Sequence, residues 1–269
     1  MQTVTTAPIA GQKPGTSGLR KKVREFAVPN YLENFVQAIF DVVPRPQEAV
    51  LILGGDGRFF NRTAIARIIA IAASNGYGKI VVGKGGILST PAVSHLIWKR
   101  GASGGIILSA SHNPGGPDED FGIKYNGPNG GPAPEPLTEA IYQRSLVLDK
   151  YRIDRSAVVD IDRLGLQQAG KMIVEVVDPV ADYAELMERL FDFQSIRRAR
   201  VEGLTFAFDA MHAVTGPYAR EIFVERLGFP EIALRNCEPL EDFGGKHPDP
   251  TDTERYDRRV RRASRQPRI

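Results

Sequence analysis

Residues 109–126 bring a hydroxyl, an imidazole and an amine close together in the sequence. An apolar run at 106–108 leads into Ser111 and His112, and a short extended piece beyond an acidic patch carries Lys124. A serine at the apex of a loop that leaves a buried strand suits nucleophilic catalysis, because its hydroxyl is held at an exposed point. We therefore interpret Ser111 as a nucleophile that carries a phosphoryl group. The same residues also fit an ordinary turn with a surface imidazole, and the local sequence leaves both interpretations open.

Phosphoryl transfer fits this loop better than acyl transfer does. A Ser–His–acid triad usually draws its members from distant parts of the chain, whereas His112 directly follows Ser111, and no G-x-S-x-G motif surrounds the serine. Phosphoryl transfer instead requires cationic side chains and exposed backbone N–H groups. The glycine-rich loops of the first half offer the N–H groups, and the candidate cations are Arg20, Arg58, Lys84 and Lys124.

Apolar runs and amphipathic segments alternate through the first half of the chain. Strands are predicted at 49–53, 79–83 and 104–109, with helices at about 31–41, 62–74 and from Thr90 onward. This alternation is typical of βαβ units in an open α/β sheet, which binds ligands outside the carboxyl ends of its strands. Residues 56–58, 84–86 and 109–113 all follow such strands, so we expect them to share one rim.

The second half is less regular. A strand is predicted at 172–177 and a helix at 181–191, while 150–170 and 194–200 have the composition of connecting segments. A second α/β unit is predicted to open with a strand at 204–208, followed by a helix at about 217–227.

The composition is that of an ordinary globular protein, with 42% hydrophobic and 25% charged residues among 269. The apolar stretch near 65–73 is too short to cross a bilayer and contains Arg67, and the N-terminus has no secretory pattern, so we expect no membrane role. Cys237 is the one cysteine, which excludes an internal disulfide and favours a cytoplasmic location.

The positive charge of the chain is concentrated at its C-terminal end. Residues 251–269 hold seven arginines and three acidic residues, and the rest of the chain has slightly more acidic than basic residues. The overall charge therefore gives no reason to expect a nucleic-acid partner.

Several motifs together resemble one family. Residues 109–116 (SASHNPGG) followed by 120–126 (DFGIKYN) resemble the active-site serine loop of phosphoglucomutases, in the α-D-phosphohexomutase superfamily. Four further segments resemble the same family in the same order: 13–21 (KPGTSGLRK), 54–59 (GGDGRF), 209–218 (DAMHAVTGPY) and 239–250 (PLEDFGGKHPDP).

The resemblance implies a phosphoserine at Ser111, whose phosphate also ligates Mg²⁺. It implies that Arg20 contacts the sugar phosphate, that Lys124 is the general acid/base and that His112 supports the phosphoserine. The implied reaction interconverts glucose 1-phosphate and glucose 6-phosphate through glucose 1,6-bisphosphate. No role follows for Asp56, Arg58 or Lys84, and a structural turn or ion pair is the expectation for 56–58.

The resemblance also implies the domain organisation. We expect a phosphohexomutase-type α/β domain with a mixed open sheet at 1–193, an incomplete second α/β domain at 194–250 and a disordered, unrelated tail at 251–269. The family's aspartate-rich metal loop (D-G-D-G-D type) and its sugar-recognition loop do not occur in the sequence.

Four alternatives stay open. The chain could be an inactive fragment that at most binds sugar phosphate, or its parent could prefer mannose phosphate. The arginine-rich ending could be an out-of-frame product or, less in keeping with its near lack of aromatic residues, a nucleic-acid-binding tail. The sequence predicts no oligomeric state.

Overall fold

The computed structural model describes residues 1–15 and 17–251. Apart from Thr251, the arginine-rich segment for which we predict a disordered tail lies outside the described residues.

The described residues form eleven strands and eight α-helices, with one π-helix and one 3₁₀-helix. The elements in chain order are β1 (Gln2–Thr5), β2 (Leu19–Lys22), α1 (Val23–Phe26), α2 (Tyr31–Val42), β3 (Ala49–Gly55), α3 (Asn61–Ala73), β4 (Tyr77–Ile87), α4 (Thr90–Lys99), β5 (Gly104–Leu108), β6 (Asp120–Asn126), α5 (Glu135–Ser145), β7 (Lys150–Ile153), β8 (Gly165–Ala169), β9 (Met172–Val177), α6 (Ala181–Leu190), α7 (Phe193–Val201), β10 (Phe208–Asp209), α8 (Thr215–Ala219), the π-helix (Arg220–Arg226), the 3₁₀-helix (Glu231–Ala233) and β11 (Leu234–Arg235).

A seven-stranded mixed sheet organises the larger part of the molecule, in the order β2-β6-β5-β3-β4-β9-β8. Strands β5, β3, β4 and β9 are parallel, whereas β2, β6 and β8 run antiparallel to their neighbours. The prediction of a mixed open α/β sheet is confirmed. A separate antiparallel pair, β1 with β7, lies outside this sheet.

Helices cover both faces of the sheet, because successive side chains of the central strands point to opposite sides. Leu51 and Leu53 of β3 belong to the larger core with α2 and α3, while Ile52 between them packs in a second core with α4. All five residues of β5 are buried. Continuous apolar runs predict these strands well because both of their faces are covered.

The starts of α2 and α4 are formed in different ways. Asn30 precedes α2 with a left-handed φ of 68° and forms no side-chain cap; its Oδ1 accepts a hydrogen bond from the Tyr151 hydroxyl at 2.9 Å. The cap of α4 is Ser89, one residue before Thr90, and its hydroxyl accepts from the Ala92 N–H at 3.3 Å. The Asn30 side chain is thus engaged by a residue that is distant in the sequence, and it does not cap α2.

The prediction of a linker at 194–200 is wrong, since these residues belong to α7. Asp192 caps this helix by accepting a hydrogen bond from the Ser195 N–H at 3.0 Å, and Phe193 packs against Leu227 and Phe229. Of the arginines that suggested a linker, Arg198 is exposed, whereas Arg197 and Arg200 are partly buried on the same side of the helix as Phe193.

A smaller α/β unit follows α7. Strands β10 and β11 pair in parallel over two residues each, and α8 and the π-helix connect them with the 3₁₀-helix. The predicted strand at 204–208 is therefore largely absent, because β10 finds a strand partner only from Phe208 onward. The domain boundaries at 193 and 250 stay predictions. Among the helices of the described residues, none is both long and apolar enough to cross a bilayer.

Candidate active site

The serine loop, residues 109–119, leaves the carboxyl end of β5 and returns as the antiparallel β6. Its first residue is fixed to the sheet, since the Ser109 N–H donates to the Gly122 carbonyl at 2.9 Å. The Ser109 hydroxyl in turn accepts a hydrogen bond from the Ser111 N–H at 3.0 Å. The loop is thus attached directly to the sheet at the carboxyl end of β5.

Ser111 occupies an uncommon backbone conformation at the apex of this loop. Its φ is 58°, in the left-handed region that L-residues other than Asn, Asp and Gly seldom adopt. The residue is exposed while Ala110 before it is buried. The turn therefore lifts the Ser111 hydroxyl away from the core into solvent.

His112 lies beside the serine without the geometry of a strong base. Its Nδ1 is 3.4 Å from Ser111 Oγ, which is long for a hydrogen bond of this kind. Hydrogen bonds from Thr251, and then the nearby charges of His112 and His247, lower the pKa of Asp249. The 247–251 segment therefore returns to the neighbourhood of the serine loop.

Arg20 and Lys124 share one face of the sheet edge. Arg20 pairs with Gly122 across β2 and β6, and Lys124 is two residues farther along the same strand. Arg20 Nε is buried without a hydrogen-bond partner. Burial, and then the positive charge of Arg20, lowers the pKa of Lys124 from its ordinary value of 10.5, with Asp56 acting in the opposite direction.

Neither of these two cations has a carboxylate partner among the described residues. Within residues 1–15 and 17–251, no acidic side chain lies at ion-pair distance from either Arg20 or Lys124. Two neighbouring positive groups without counter-ions favour an anion between them. The arrangement is suited to binding a phosphate group.

Asp56 and Arg58 form a buried ion pair beneath the serine loop. Arg58 Nε donates to both carboxylate oxygens of Asp56, at 3.1 and 3.0 Å, and the Arg58 side chain is 0% exposed. Its other nitrogens donate to the carbonyls of Ser111 at 2.9 Å and of Asp120 at 2.8 Å. The expected structural ion pair is present, and it contacts the candidate nucleophile's own backbone.

The predicted rim forms only in part. Residues 56–58 meet the serine loop, but Lys84 lies beside Asp162, whose pKa is lowered first by a hydrogen bond from Arg62 and more weakly by the charge of Lys84. The neighbouring Gly85 N–H donates to the Ile161 carbonyl at 2.8 Å. Residues 84–86 lie within β4 rather than after it, so the prediction that they follow the strand is wrong, and this part of β4 faces a different part of the surface.

Sequence reasoning assigned no role to residues 239–245, although their motif contributed to the family resemblance. The Glu241 carbonyl accepts a hydrogen bond from the Phe59 N–H at 2.9 Å, and the Phe243 ring lies 5.2 Å from the Arg58 guanidinium. Phe243 is 1% exposed. A segment far along the chain thus covers the base of the serine loop.

The described residues do not fit the expected Mg²⁺. They contain no group of three or more His, Cys, Asp or Glu side chains that could hold a metal ion. The acidic patch of the serine loop is engaged elsewhere, because Lys22 pairs with Glu119 at 3.1 Å and with Asp120 at 3.0 Å. The role of a Ser111 phosphate as metal ligand stays a prediction.

The serine loop and its surroundings have counterparts in known proteins. Residues 11–152 match the family model described as phosphoglucomutase/phosphomannomutase, alpha/beta/alpha domain I. A phosphoglucomutase of Rhizobium radiobacter is 57% identical over 250 residues, covering 93% of this chain and 46% of that protein. One from Schizosaccharomyces pombe is 54% identical over 256 residues, with 94% and 46% covered.

Solved structures show the same likeness. The open form of pp63/parafusin, a phosphoglucomutase from Paramecium, superposes with a TM-score of 0.89 at 46% identity, covering 95% of this chain and 48% of that one. The chain spans about half the length of the curated relatives it matches. On the strength of its matched first domain and its fold, the chain belongs to the phosphoglucomutase/phosphomannomutase family.

Proposed function

We propose that this protein interconverts glucose 1-phosphate and glucose 6-phosphate, with Ser111 as the phosphoryl carrier and glucose 1,6-bisphosphate as the intermediate. The observation that carries the proposal is the exposed Ser111 hydroxyl on a fixed turn at the sheet edge that also holds Arg20 and Lys124. The relatives' name, phosphoglucomutase, supports glucose as the sugar.

The transfer needs few covalent changes. The bond between phosphorus and Ser111 Oγ breaks as a new P–O bond forms to a hydroxyl of the sugar phosphate. The hydroxyl proton passes by way of Lys124 Nζ to the seryl oxygen, so no proton is released overall. Lys124 suits this task because its lowered pKa increases the fraction of neutral amine near physiological pH.

Arg20 is proposed to contact the bound sugar phosphate near the reacting groups. Its buried, unpartnered Nε lacks a hydrogen-bond acceptor, and a phosphate oxygen would supply one. His112 is proposed to support the phosphoserine through its position beside Ser111 Oγ. Both roles use groups whose positions are fixed by β2 and the serine loop.

No step of this scheme passes through a metal ion, because the described residues do not supply a set of ligands for one. A metal cofactor is in keeping with the family, and Mg²⁺ and an activating bisphosphate stay predictions of the resemblance. A cytoplasmic location also stays a prediction, since the relatives include both cytoplasmic and chloroplastic phosphoglucomutases.

A second candidate is binding of a sugar phosphate without turnover. It is favoured by the lack of a metal-holding cluster in residues 1–15 and 17–251. Mannose phosphates are a further possible substrate class, since the matching family model includes phosphomannomutases. A coupled assay that measures glucose 6-phosphate formation, with and without Mg²⁺, separates turnover from binding alone.

The role of Ser111 can be tested without turnover. Incubation with ³²P-labelled glucose 1,6-bisphosphate, followed by peptide mass spectrometry, should place the label on Ser111. Ser111→Ala should abolish labelling, whereas Ser156→Ala should label normally, because the Ser156 hydroxyl bonds Asp154 away from the serine loop. Equal labelling of wild type and Ser111→Ala would overturn the proposal.

A further inference from the structure

We propose that Arg58 is a positioning residue that fixes the Ser111 main chain in its left-handed conformation, and that Phe243 holds Arg58 in place from outside. This inference rests on the proposed role of Ser111 as phosphoryl carrier. Arg58 touches the backbone of the serine loop and not the Ser111 hydroxyl, so its effect on the reaction is indirect.

The guanidinium of Arg58 ties together three points of the loop. Its Nη2 donates to the Ser111 carbonyl at 2.9 Å, and its Nη1 donates to the carbonyls of Asp120 at 2.8 Å and Pro114 at 3.4 Å. These carbonyls belong to the apex, the following turn and the start of β6. The rigid planar fork of arginine can reach such separate acceptors at once, whereas lysine carries a single point charge.

Asp56 attaches this arrangement to the sheet. Its carboxylate accepts from Arg58 Nε and also from the Arg58 backbone N–H at 3.2 Å. Its own N–H donates to the Leu108 carbonyl at 3.0 Å, at the end of β5. Asp56 therefore links the end of β5, which leads to Ser111, with Arg58, which bonds the Ser111 carbonyl.

Phe243 completes the enclosure of Arg58. Its ring lies 5.2 Å from the guanidinium carbon, at a separation where a cation–π attraction operates. The same segment presses against the serine loop, because a Cβ added at Gly115 would lie 2.6 Å from the Glu241 carbonyl oxygen and 2.9 Å from the Phe243 ring. The close approach keeps water away from the buried ion pair and leaves the loop little room to move.

The Ser111 conformation requires such support. A non-glycine residue with positive φ persists only where the surroundings impose it. Without the hydrogen bond that Arg58 donates to its carbonyl, Ser111 would be free to return to a more common conformation, and the direction of its hydroxyl would change. A displacement of about 1 Å at a reacting group can reduce a rate about 100-fold.

Arg58→Lys tests the inference, because it keeps the charge and removes the fork. We expect transfer of label from ³²P-glucose 1,6-bisphosphate to Ser111 to slow about 100-fold. The half-saturating bisphosphate concentration should change little, since Arg58 does not touch the bisphosphate site. Amide hydrogen exchange should accelerate in residues 109–119.

The matched control is Arg45→Lys. Arg45 also donates to two carbonyls, those of Phe40 and Asn75, and lies 4.7 Å from the Tyr77 ring, but none of these residues belongs to the serine loop. The Arg45→Lys variant should have a lower melting temperature, while its labelling rate and its amide hydrogen exchange in residues 109–119 should stay near those of the wild type. A similar loss of labelling in both variants would show a general effect of instability and overturn the inference.

Phe243→Leu serves where Arg58→Lys does not fold, because it alters only the cover over the guanidinium. It should slow labelling by about tenfold and increase exchange in the serine loop. Unchanged labelling and unchanged loop exchange in a folded variant would contradict the proposal. If wild type takes no label, the proposed function fails, while the exchange measurement still decides whether Arg58 fixes the loop.

Discussion

Lys124 combines a buried amine with a neighbouring cation. Both effects destabilise the protonated form, so both lower its pKa, and Asp56 opposes them only in part. A lysine near Arg20 with no carboxylate at ion-pair distance in the described part of the chain would be an unfavourable arrangement in a purely structural site. It is a useful one where a phosphate binds and a proton is accepted.

Replacing Lys124 with arginine should remove the proton acceptor while keeping the positive charge. Arginine stays protonated over the working pH range, so we expect turnover to fall by about 10²–10⁴-fold. In wild type the rate should rise with pH as Lys124 loses its proton, with an inflection below 10.5, and this rise should be missing from the variant. Rate profiles between pH 6 and 10 provide the measurement.

Lys79→Arg is the control for that experiment. Lys79 in β4 pairs with Glu175 in β9, three and four strands away from β6, and should have a wild-type pH profile when replaced. A Lys124→Arg protein whose rate still rises with pH in the wild-type manner would exclude Lys124 as the proton acceptor.

At the scale of single residues, the site residues that could be predicted from the sequence are those that lie in short family motifs. Ser111, His112, Arg20 and Lys124 follow from a resemblance in short segments, and the structure brings all four to one edge of the sheet. Arg58 appeared as a candidate cation and as part of a turn or ion pair, but its contact with the serine loop was not predicted, because it depends on carbonyls contributed by residues more than fifty positions away.

The element that positions the site is the antiparallel pair β5 and β6, joined by the serine loop. Gly122 in β6 leaves space for the loop backbone, since a Cβ at this position would lie 2.2 Å from the Ser109 carbonyl oxygen. The same glycine carbonyl accepts the Ser109 N–H. The strand and the loop can therefore approach only where a side chain is missing.

Gly122→Ala should force the loop away from β6. We expect a loss of about 1–3 kcal/mol in the free energy of unfolding, as for other overpacked sites, together with reduced labelling of Ser111. Gly127→Ala is the matched control, because its Cβ would meet only Asn129 Oδ1 at an ordinary 3.6 Å and should change stability by less than about 0.5 kcal/mol. Urea unfolding of both proteins checks the difference, and equal stabilities would contradict this account.

Strands and helices could be predicted from the sequence where burial alone determines the pattern of apolar residues. The strands β3, β5 and β9 are apolar because neighbours cover them on one or both sides, and their predicted positions agree with the structure to within two residues. Predictions failed where the deciding partner lies elsewhere in the chain. Helix α7 depends on contacts of Phe193 with Leu227 and Phe229 that no local pattern shows.

The larger core of the molecule buries four tyrosine side chains, Tyr31, Tyr77, Tyr125 and Tyr151. Burial raises the pKa of Tyr31 to about 12 and that of Tyr125 to about 12, and it also raises the pKa of Tyr77 well above 10. In the unfolded chain these phenols ionise near pH 10. The unfolded state therefore holds fewer protons than the folded state at high pH.

The contribution of these phenols to stability should consequently be constant below pH 10 and should fall as the pH rises from 10 towards 12. Circular dichroism during urea unfolding at a series of pH values measures this loss. Tyr31→Phe should make the decline shallower, because one raised phenol is removed and its hydroxyl makes only a long contact of 3.5 Å to the Gly11 carbonyl. An alkaline decline that is equally steep in the variant would argue against burial of this phenol as a cause.

At this largest scale the family and the mixed sheet could be predicted, and both are confirmed. The domain boundaries stay predictions. The relation between the serine loop and residues 239–245 could not be foreseen, because it depends on how two separate α/β units meet rather than on a pattern within either of them.

The contact between Phe243 and Arg58 bears on how far the serine loop can be treated as a module. Residues 109–119 contain the reactive hydroxyl, yet the groups that fix its direction come from 56–58 and 239–245. Grafting the loop alone onto another sheet would transfer the chemistry without its orientation. A portable version of this site has to include three discontinuous pieces of the chain, together with the packing that brings them together.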